Sequence, residues 1–262
     1  MSWRILSACG WERPNGGPPP EEQPKVSLVQ QRSGVDGGFL LVHLIAEHLR
    51  ASAQNRVILF ATHQTAAHYV GACQKVGLHA TNFIGSGQFH IVDVHAELYA
   101  QCGKLESSAP MVGNFGAQLL PLIRDRVHEV TPSSNTIVIV DDLGFYAIVD
   151  PTIGEDGVID FVEELIGTSL AGIGHIVLKV NAAECYGRLC AFLTDLTTID
   201  ILLEPLSSGN FREVDGRLTV HERTAPEGSC LVLRNLRCNL LYKVGDRQVQ
   251  TFVPGEFGIK NL

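Results

Sequence analysis

From Lys25 onward, short and nearly continuous apolar runs rich in β-branched residues alternate with amphipathic stretches, and few architectures accept that alternation. Six runs read as strands, at residues 25–30, 56–62, 89–94, 136–142, 175–181 and 200–206. A strand that is apolar on both of its alternating faces has to be covered on both, as in a parallel sheet wrapped by helices. The stretches between them carry a helical period. Phe39, Val42, Ile45, Ala46 and Leu49 share one face, and Val158, Phe161, Val162, Leu165 and Ile166 share another. A third helix is expected over residues 115–130, with Leu119, Leu122, Ile123, Val127 and Val130 as its stripe. Pro121 should start or kink it, because proline has no amide proton and its ring crowds the preceding turn. Such alternation needs crossover connections and predicts a doubly wound, mostly parallel α/β sheet.

The end of the chain departs from this pattern. Residues 216–222, 231–238, 240–244 and 247–253 read as strands with no helical stretch between them, and Gly245-Asp246 marks a hairpin turn. C-terminal antiparallel hairpins are therefore expected beside the parallel core. Residues 1–23, with the run Asn-Gly-Gly-Pro-Pro-Pro-Glu-Glu from Asn15, read as a disordered Pro/Gly-rich tail with little to bury. That leaves residues 24–262 as one domain, long enough for a sizeable core, and residues 101–113 as a polar loop.

Composition narrows the function classes. No apolar run approaches the roughly 20 residues of a membrane helix, and Met1–Gly10 does not have the pattern of a secretory signal. The seven cysteines include no Cys-x-x-Cys pair, which fits reduced thiols in the cytoplasm, or in the nucleus as well, better than a disulfide framework. A net charge of −8 argues against a freestanding nucleic-acid binder of the basic kind. The charge is uneven, with eight Lys/Arg against six Asp/Glu in residues 205–262. That fifth of the chain is the part suited to face a polyanion, although an ordinary solvated surface carries the same bias.

In an open α/β sheet the ligand position lies where the first strand hands over to its helix. Here that segment is Gln31-Arg-Ser-Gly-Val-Asp-Gly-Gly-Phe-Leu. A phosphate loop needs GxxxxGK[ST], with glycines so that amides wrap the phosphates, Lys for their charge and a hydroxyl for Mg²⁺. Gly34, Gly37 and Gly38 keep the glycines, but Gly38-Phe39 or Phe39-Leu40 stands where Lys-Ser would, and Asp36 places a negative charge beside the phosphate position. The loop is a degenerate one, and a tight strand-to-helix turn accounts for its glycines. Residues 136–142 end in Asp141-Asp142, the form of a Walker B strand whose acid holds Mg²⁺ beside a nucleotide. Magnesium sites lean on phosphate oxygens, so without a phosphate loop this acid pair is expected to cap the following turn or to meet a basic group on a partner.

Other chemistry has less support. His63 with His68 and His90 with His95 are each five apart, a spacing unlike a helical zinc pair, and Cys185 with Cys190 lack a second pair. There is no GxSxG elbow and no GxGxxG after the first strand. No catalytic residue, metal site or cofactor is assigned.

Taken in order, several segments resemble one family, subunit six of the Elongator complex, a RecA-like ATPase homologue without a working nucleotide site. The resemblance runs from about Lys25 to Gly255 and rests on Ser33-Gly-Val-Asp-Gly-Gly-Phe-Leu-Leu-Val-His, His68-Tyr69, Lys75-Val-Gly-Leu78 and Val138-Ile-Val-Asp-Asp-Leu143. It continues through Asp160-Phe161, Glu204-Pro-Leu-Ser-Ser-Gly209, Asp215-Gly-Arg-Leu218, Tyr242-Lys-Val244 and Phe252-Val-Pro-Gly255. It implies a RecA-like domain and an accessory, non-enzymatic subunit that joins subunits four and five in a hetero-hexameric ring of two copies each. It further implies that the ring binds tRNA and serves the catalytic Elongator subcomplex, which modifies the wobble uridine at carbon 5. RecA-type enzymes also carry a catalytic Glu after the second strand, and Ala61-Thr-His-Gln64 offers none. Arg212, Arg217 and Arg223 are the residues expected to add to tRNA contact, with partners supplying most of the basic charge. Two other readings stay open: a RecA-like recombinase paralogue of a DNA-repair assembly, and an ATPase with an aberrant phosphate loop.

Overall fold

The apolar runs form the centre of one sheet. In the computed structural model, which describes residues 5–11, 25–102, 115–130, 135–149, 154–167, 173–206, 213–224 and 233–255, they are β1 (Lys25–Gln31), β2 (Arg56–Ala61), β3 (Phe89–Asp93), β4 (Thr136–Val140), β5 (Ile173–Asn181) and β6 (Ile199–Glu204). Three further strands, β7 (Gly216–Thr224), β8 (Leu233–Val244) and β9 (Val249–Phe252), follow without helices between them. Among the described residues the sheet order is β3-β2-β4-β5-β1-β6-β7-β8-β9. The pairings from β3 to β6 are parallel, and those from β6 to β9 are antiparallel.

Alternation along each central strand divides the core in two. Val57, Leu59, Ile137, Ile139, Val177, Ile201 and Leu203 face one side, with α2 (Gly38–Ala51), α3 (Ala66–Lys75) and α4 (Ala80–Gly85). Ile58, Phe60, Val138, Val140, Ile176 and Leu178 face the other, with α6 (Phe115–Glu129), α7 (Gly144–Val149), α8 (Gly154–Gly167) and α9 (Gly187–Leu196). The remaining helices are α5 (Val94–Cys102) and α1 (Ile5–Ala8). The two buried stripes are those read from period 3.6 and period 2.

Four expectations are corrected. The first is the disordered tail: Ile5, Leu6, Ala8, Cys9 and Trp11 are buried, and α1 packs on the side of the sheet that carries α2. The indole N–H of Trp11 donates to Ser27 Oγ at 3.0 Å, and Ser27 Oγ lies 2.8 Å from His175 Nε2. Lys25 Nζ donates to the Gly10 carbonyl, and Arg237 Nη2 reaches the Ser7 carbonyl at 3.4 Å. The segment thus clips the start of the parallel sheet to β8. Full burial of Ile5 and Leu6 contributes about 1.5–3 kcal/mol for each side chain. Residues 12–24 lie outside the described residues.

The second correction joins residues 233–244 into one strand. Val220 pairs with Cys238 while His221 pairs with Leu236, so Arg237 is the extra residue of a β-bulge, and Asn239 is an ordinary exposed residue opposite Thr219. A polar residue on the open face imitates a turn in the sequence. Third, Pro121 does not start α6 but lies inside it, where it costs one intrahelical hydrogen bond without ending the helix. Fourth, Gln101 and Cys102 belong to α5, and the rest of the expected loop at 101–113 lies outside the described residues.

Candidate functional site

The sheet order puts the carboxyl ends of β4, β5 and β1 side by side, so Gln31, the turn after β4 and the end of β5 converge. The turn contains both acids. Asp141 lies 0 % exposed and receives three donors: Lys179 Nζ at 2.8 Å to Oδ1, Tyr69 Oη at 2.6 Å and the His63 amide at 3.2 Å, the last two to Oδ2. Lys179 sits two residues before the end of β5 and is likewise 0 % exposed. Asp142 adopts a left-handed backbone, φ 61°. Its Oδ1 accepts from the Gly144 amide at 3.1 Å and its Oδ2 from Asn181 Nδ2 at 2.8 Å. Asp142 therefore caps the following turn, as expected of one of the pair. Asp141 meets a cation of its own chain rather than one on a partner.

The degenerate loop is tied into the same set. Asn181 Oδ1 accepts from Gln31 Nε2, and Gln31 Oε1 accepts from the Gly37 amide at 2.8 Å. Asp36 Oδ1 accepts from the Gly38 amide at 2.9 Å. These are the first amides of α2, the groups an anion would use at a helix start. The glycines have local causes. Gly34 is left-handed, φ 93°, and a Cβ on Gly37 would stand 3.0 Å from Leu203 Cδ1 and 3.2 Å from Val29 Cγ1. The residues present do not fit a magnesium nucleotide: its amide cradle donates to Gln31 and Asp36, and its metal-holding acid is closed by Lys179 and Tyr69.

Burial shifts the neighbouring acids. The Tyr69 phenol is pushed up by burial first and then by the charge and hydrogen bond of Asp141. Tyr146 is pushed up by burial and by the charges of Asp141 and Asp142. A raised phenol stays protonated, which is what its donation to Asp141 needs.

Among the described residues, the basic residues of the C-terminal fifth do not gather at this site. Arg217 is exposed and Arg223 half-buried on the same face of β7, six residues and so about 20 Å apart. Arg212 lies outside the described residues. On β8, Arg234, Arg237 and Lys243 are paired with Asp200, Glu222 and Asp215. His95 Nε2 lies 2.6 Å from the Thr62 carbonyl and His90 Nε2 2.8 Å from that of Gly87. Among the described residues no group of three or more His, Cys, Asp or Glu is placed to hold a metal ion, and no helix is long and apolar enough to cross a membrane.

Sequence reasoning overlooked Lys179, Gln31 and Tyr69. The signal for Lys179 was present, since one Lys within the apolar run Ile173–Asn181 of a strand covered on both faces must find a buried acid. Gln31 and Tyr69 carry no such mark.

Comparison with known proteins agrees with this architecture. The sequence model of the family described as "Elongation complex protein 6" matches residues 17–246. Elongator complex protein 6 of Drosophila melanogaster is 27% identical over 271 residues, covering 99% of this chain and 100% of that protein. The Xenopus laevis protein of the same name is 25% identical over 239 residues, covering 85% and 88%. Among solved structures, a KaiC-like protein from Pyrococcus horikoshii OT3 superimposes with a TM-score of 0.58 at 12% identity, over 88% of this chain and 90% of that one, a likeness of fold alone. The fold is thus the RecA-like one expected, and the match over 17–246 sets aside the recombinase-paralogue reading: the chain belongs to the Elongator complex protein 6 family.

Proposed function

We propose that this chain is a non-catalytic subunit of Elongator, acting through its surface in a hetero-hexameric ring with subunits four and five. The ring supports tRNA binding for wobble-uridine C5 modification by the catalytic subcomplex, in the cytoplasm and also the nucleus. Family membership supports the placement in Elongator. The observation that carries the non-catalytic part is the closed site: Asp141 is satisfied by Lys179 and Tyr69, and the Gly37 and Gly38 amides by Gln31 and Asp36.

A chain of net charge −8 contributes little phosphate neutralisation by itself, so basic residues of the partners dominate and Arg212, Arg217 and Arg223 add a minor share. Copies tagged in cells are expected to bring down Elongator subunits four and five, and purified chain to show no ATP binding or hydrolysis. Charge reversal of the three arginines within the assembled ring is expected to weaken tRNA binding and flatten its salt dependence. Recovery of a different assembly, ATP turnover by the chain alone, or unchanged tRNA affinity and salt slope would each count against the corresponding part of the reading.

A further inference from the structure

We propose that Lys179 is a resident counter-cation for the acidic turn after β4, and that Asn181 and Gln31 carry its effect to the glycine loop as positioning residues. The site then holds its shape with no external ion or nucleotide. The proposal stands on the geometry of this site and not on Elongator membership, so the two can fail separately.

The buried charges balance. Two carboxylates follow β4, and one of them, Asp141, has no exposure to solvent. A buried carboxylate without a compensating cation is strongly disfavoured. Lys179 supplies that cation from the neighbouring strand, one position beyond the last paired residues Val140 and Leu178. Its own carbonyl accepts from the Leu143 amide at 2.8 Å, which fixes the turn that contains Asp142 to the same residue. Tyr69 and the His63 amide occupy the second oxygen of Asp141.

The relay to the loop is continuous. Asp142 Oδ2 accepts from Asn181 Nδ2, Asn181 Oδ1 accepts from Gln31 Nε2, and Gln31 Oε1 accepts from the Gly37 amide. Each amide side chain uses its donor on one neighbour and its acceptor on the other, so the order of the bonds runs one way. Side chains thereby link three strands and one helix start in addition to the backbone pairing of the strands. A relay of this kind fixes the loop between Arg32 and Gly38 in one conformation, ready to be presented to a surface.

The test uses the full chain and thermal unfolding, with wild type, Lys179→Met, Asp141→Asn and the double variant. Lys179→Met is expected to lower Tm by roughly 10 °C at pH 7.5, since removing one partner leaves a buried charge unmatched. The double variant should recover most of the loss. Should either single variant fail to fold, the double variant folding with a Tm near wild type gives the same answer. Losses that simply add in the double variant would overturn the counter-ion role. Stabilisation of wild type by millimolar Mn²⁺ or Mg·ATP would overturn the claim that the site is already filled.

The relay has a separate readout in amide hydrogen exchange. Asn181→Ala is expected to speed exchange at Gly37 by about tenfold while β2 and β4 keep their protection. An unchanged Gly37 rate would remove Asn181 and Gln31 from the proposal.

Discussion

Lys179 Nζ lies 2.8 Å from Asp141 Oδ1 with both side chains closed off from solvent, at the end of adjacent parallel strands. The position is the one where α/β sheets receive their ligands. In a nucleotide-binding domain the acid that ends this strand holds a metal beside the phosphates, and here Asp141 is held instead by Lys179, Tyr69 and the His63 amide.

Tyr69→Phe isolates the share of the phenol. The ring is buried and stays, and Asp141 Oδ2 keeps only the His63 amide. A hydrogen bond to a buried charge contributes about 1.5–3 kcal/mol, so a loss in that range is expected from urea unfolding. The deficit should be smaller when measured on Asp141→Asn as background, because the charge that strengthens the bond is gone.

Trp11→Ala tests the N-terminal clip. The indole is buried, donates to Ser27 and meets His175 edge-on with centroids 6.0 Å apart. A loss of about 3–5 kcal/mol is expected, the range for emptying a large aromatic site. Trp11→Phe should recover the packing but not the bond to Ser27. A loss below about 0.5 kcal/mol would mean that the segment is not docked in solution.

Gly216→Ala should strike the junction between the parallel and antiparallel parts. A Cβ there would lie 2.7 Å from the Glu204 carbonyl oxygen and 2.8 Å from Tyr242 Oη. The backbone of β6 cannot move without disturbing its pairing with β1, so a destabilisation of about 1–3 kcal/mol is expected. The shift of the denaturant midpoint at constant slope measures it.

The thiols should report burial. Cys185 is exposed, whereas Cys9 and Cys73 are buried. Burial pushes Cys73 up to about 12 and Cys190 up to about 11. Alkylation at pH 7.5 should therefore modify Cys185 before Cys9 or Cys73, with the latter two reacting only on unfolding. Both shifted thiols titrate higher in the folded chain than in the unfolded one. Their stabilising share is complete below about pH 8.5 and is lost as the pH rises through about 11–12. An alkaline loss of stability follows, and Cys73→Ala should make it less steep.

The alternation of apolar runs and amphipathic stretches was enough to place six parallel strands, the antiparallel ending and the degenerate loop, because period 2 and period 3.6 are properties of the chain itself. The absence of Lys-Ser after Gly37 and Gly38 was equally plain. The sequence showed less clearly that residues 233–244 form one bulged strand, since Asn239 on an open sheet face and a polar residue in a turn look the same. Ile5, Leu6 and Trp11 are too few to signal a docked segment unless the surface that receives them is known.

Asp141-Asp142 shows the division most clearly. The sequence alone determined that two acids end a buried strand and that no phosphate loop faces them. Only the tertiary structure decided what satisfies them. Strand order brings β5 between β4 and β1, so Lys179 and Asn181 reach Asp141 and Asp142 on one side, and Gln31, 150 residues away in the chain, reaches Asn181 on the other. Local sequence sets which groups must be paired when water is removed, and long-range packing chooses their partners.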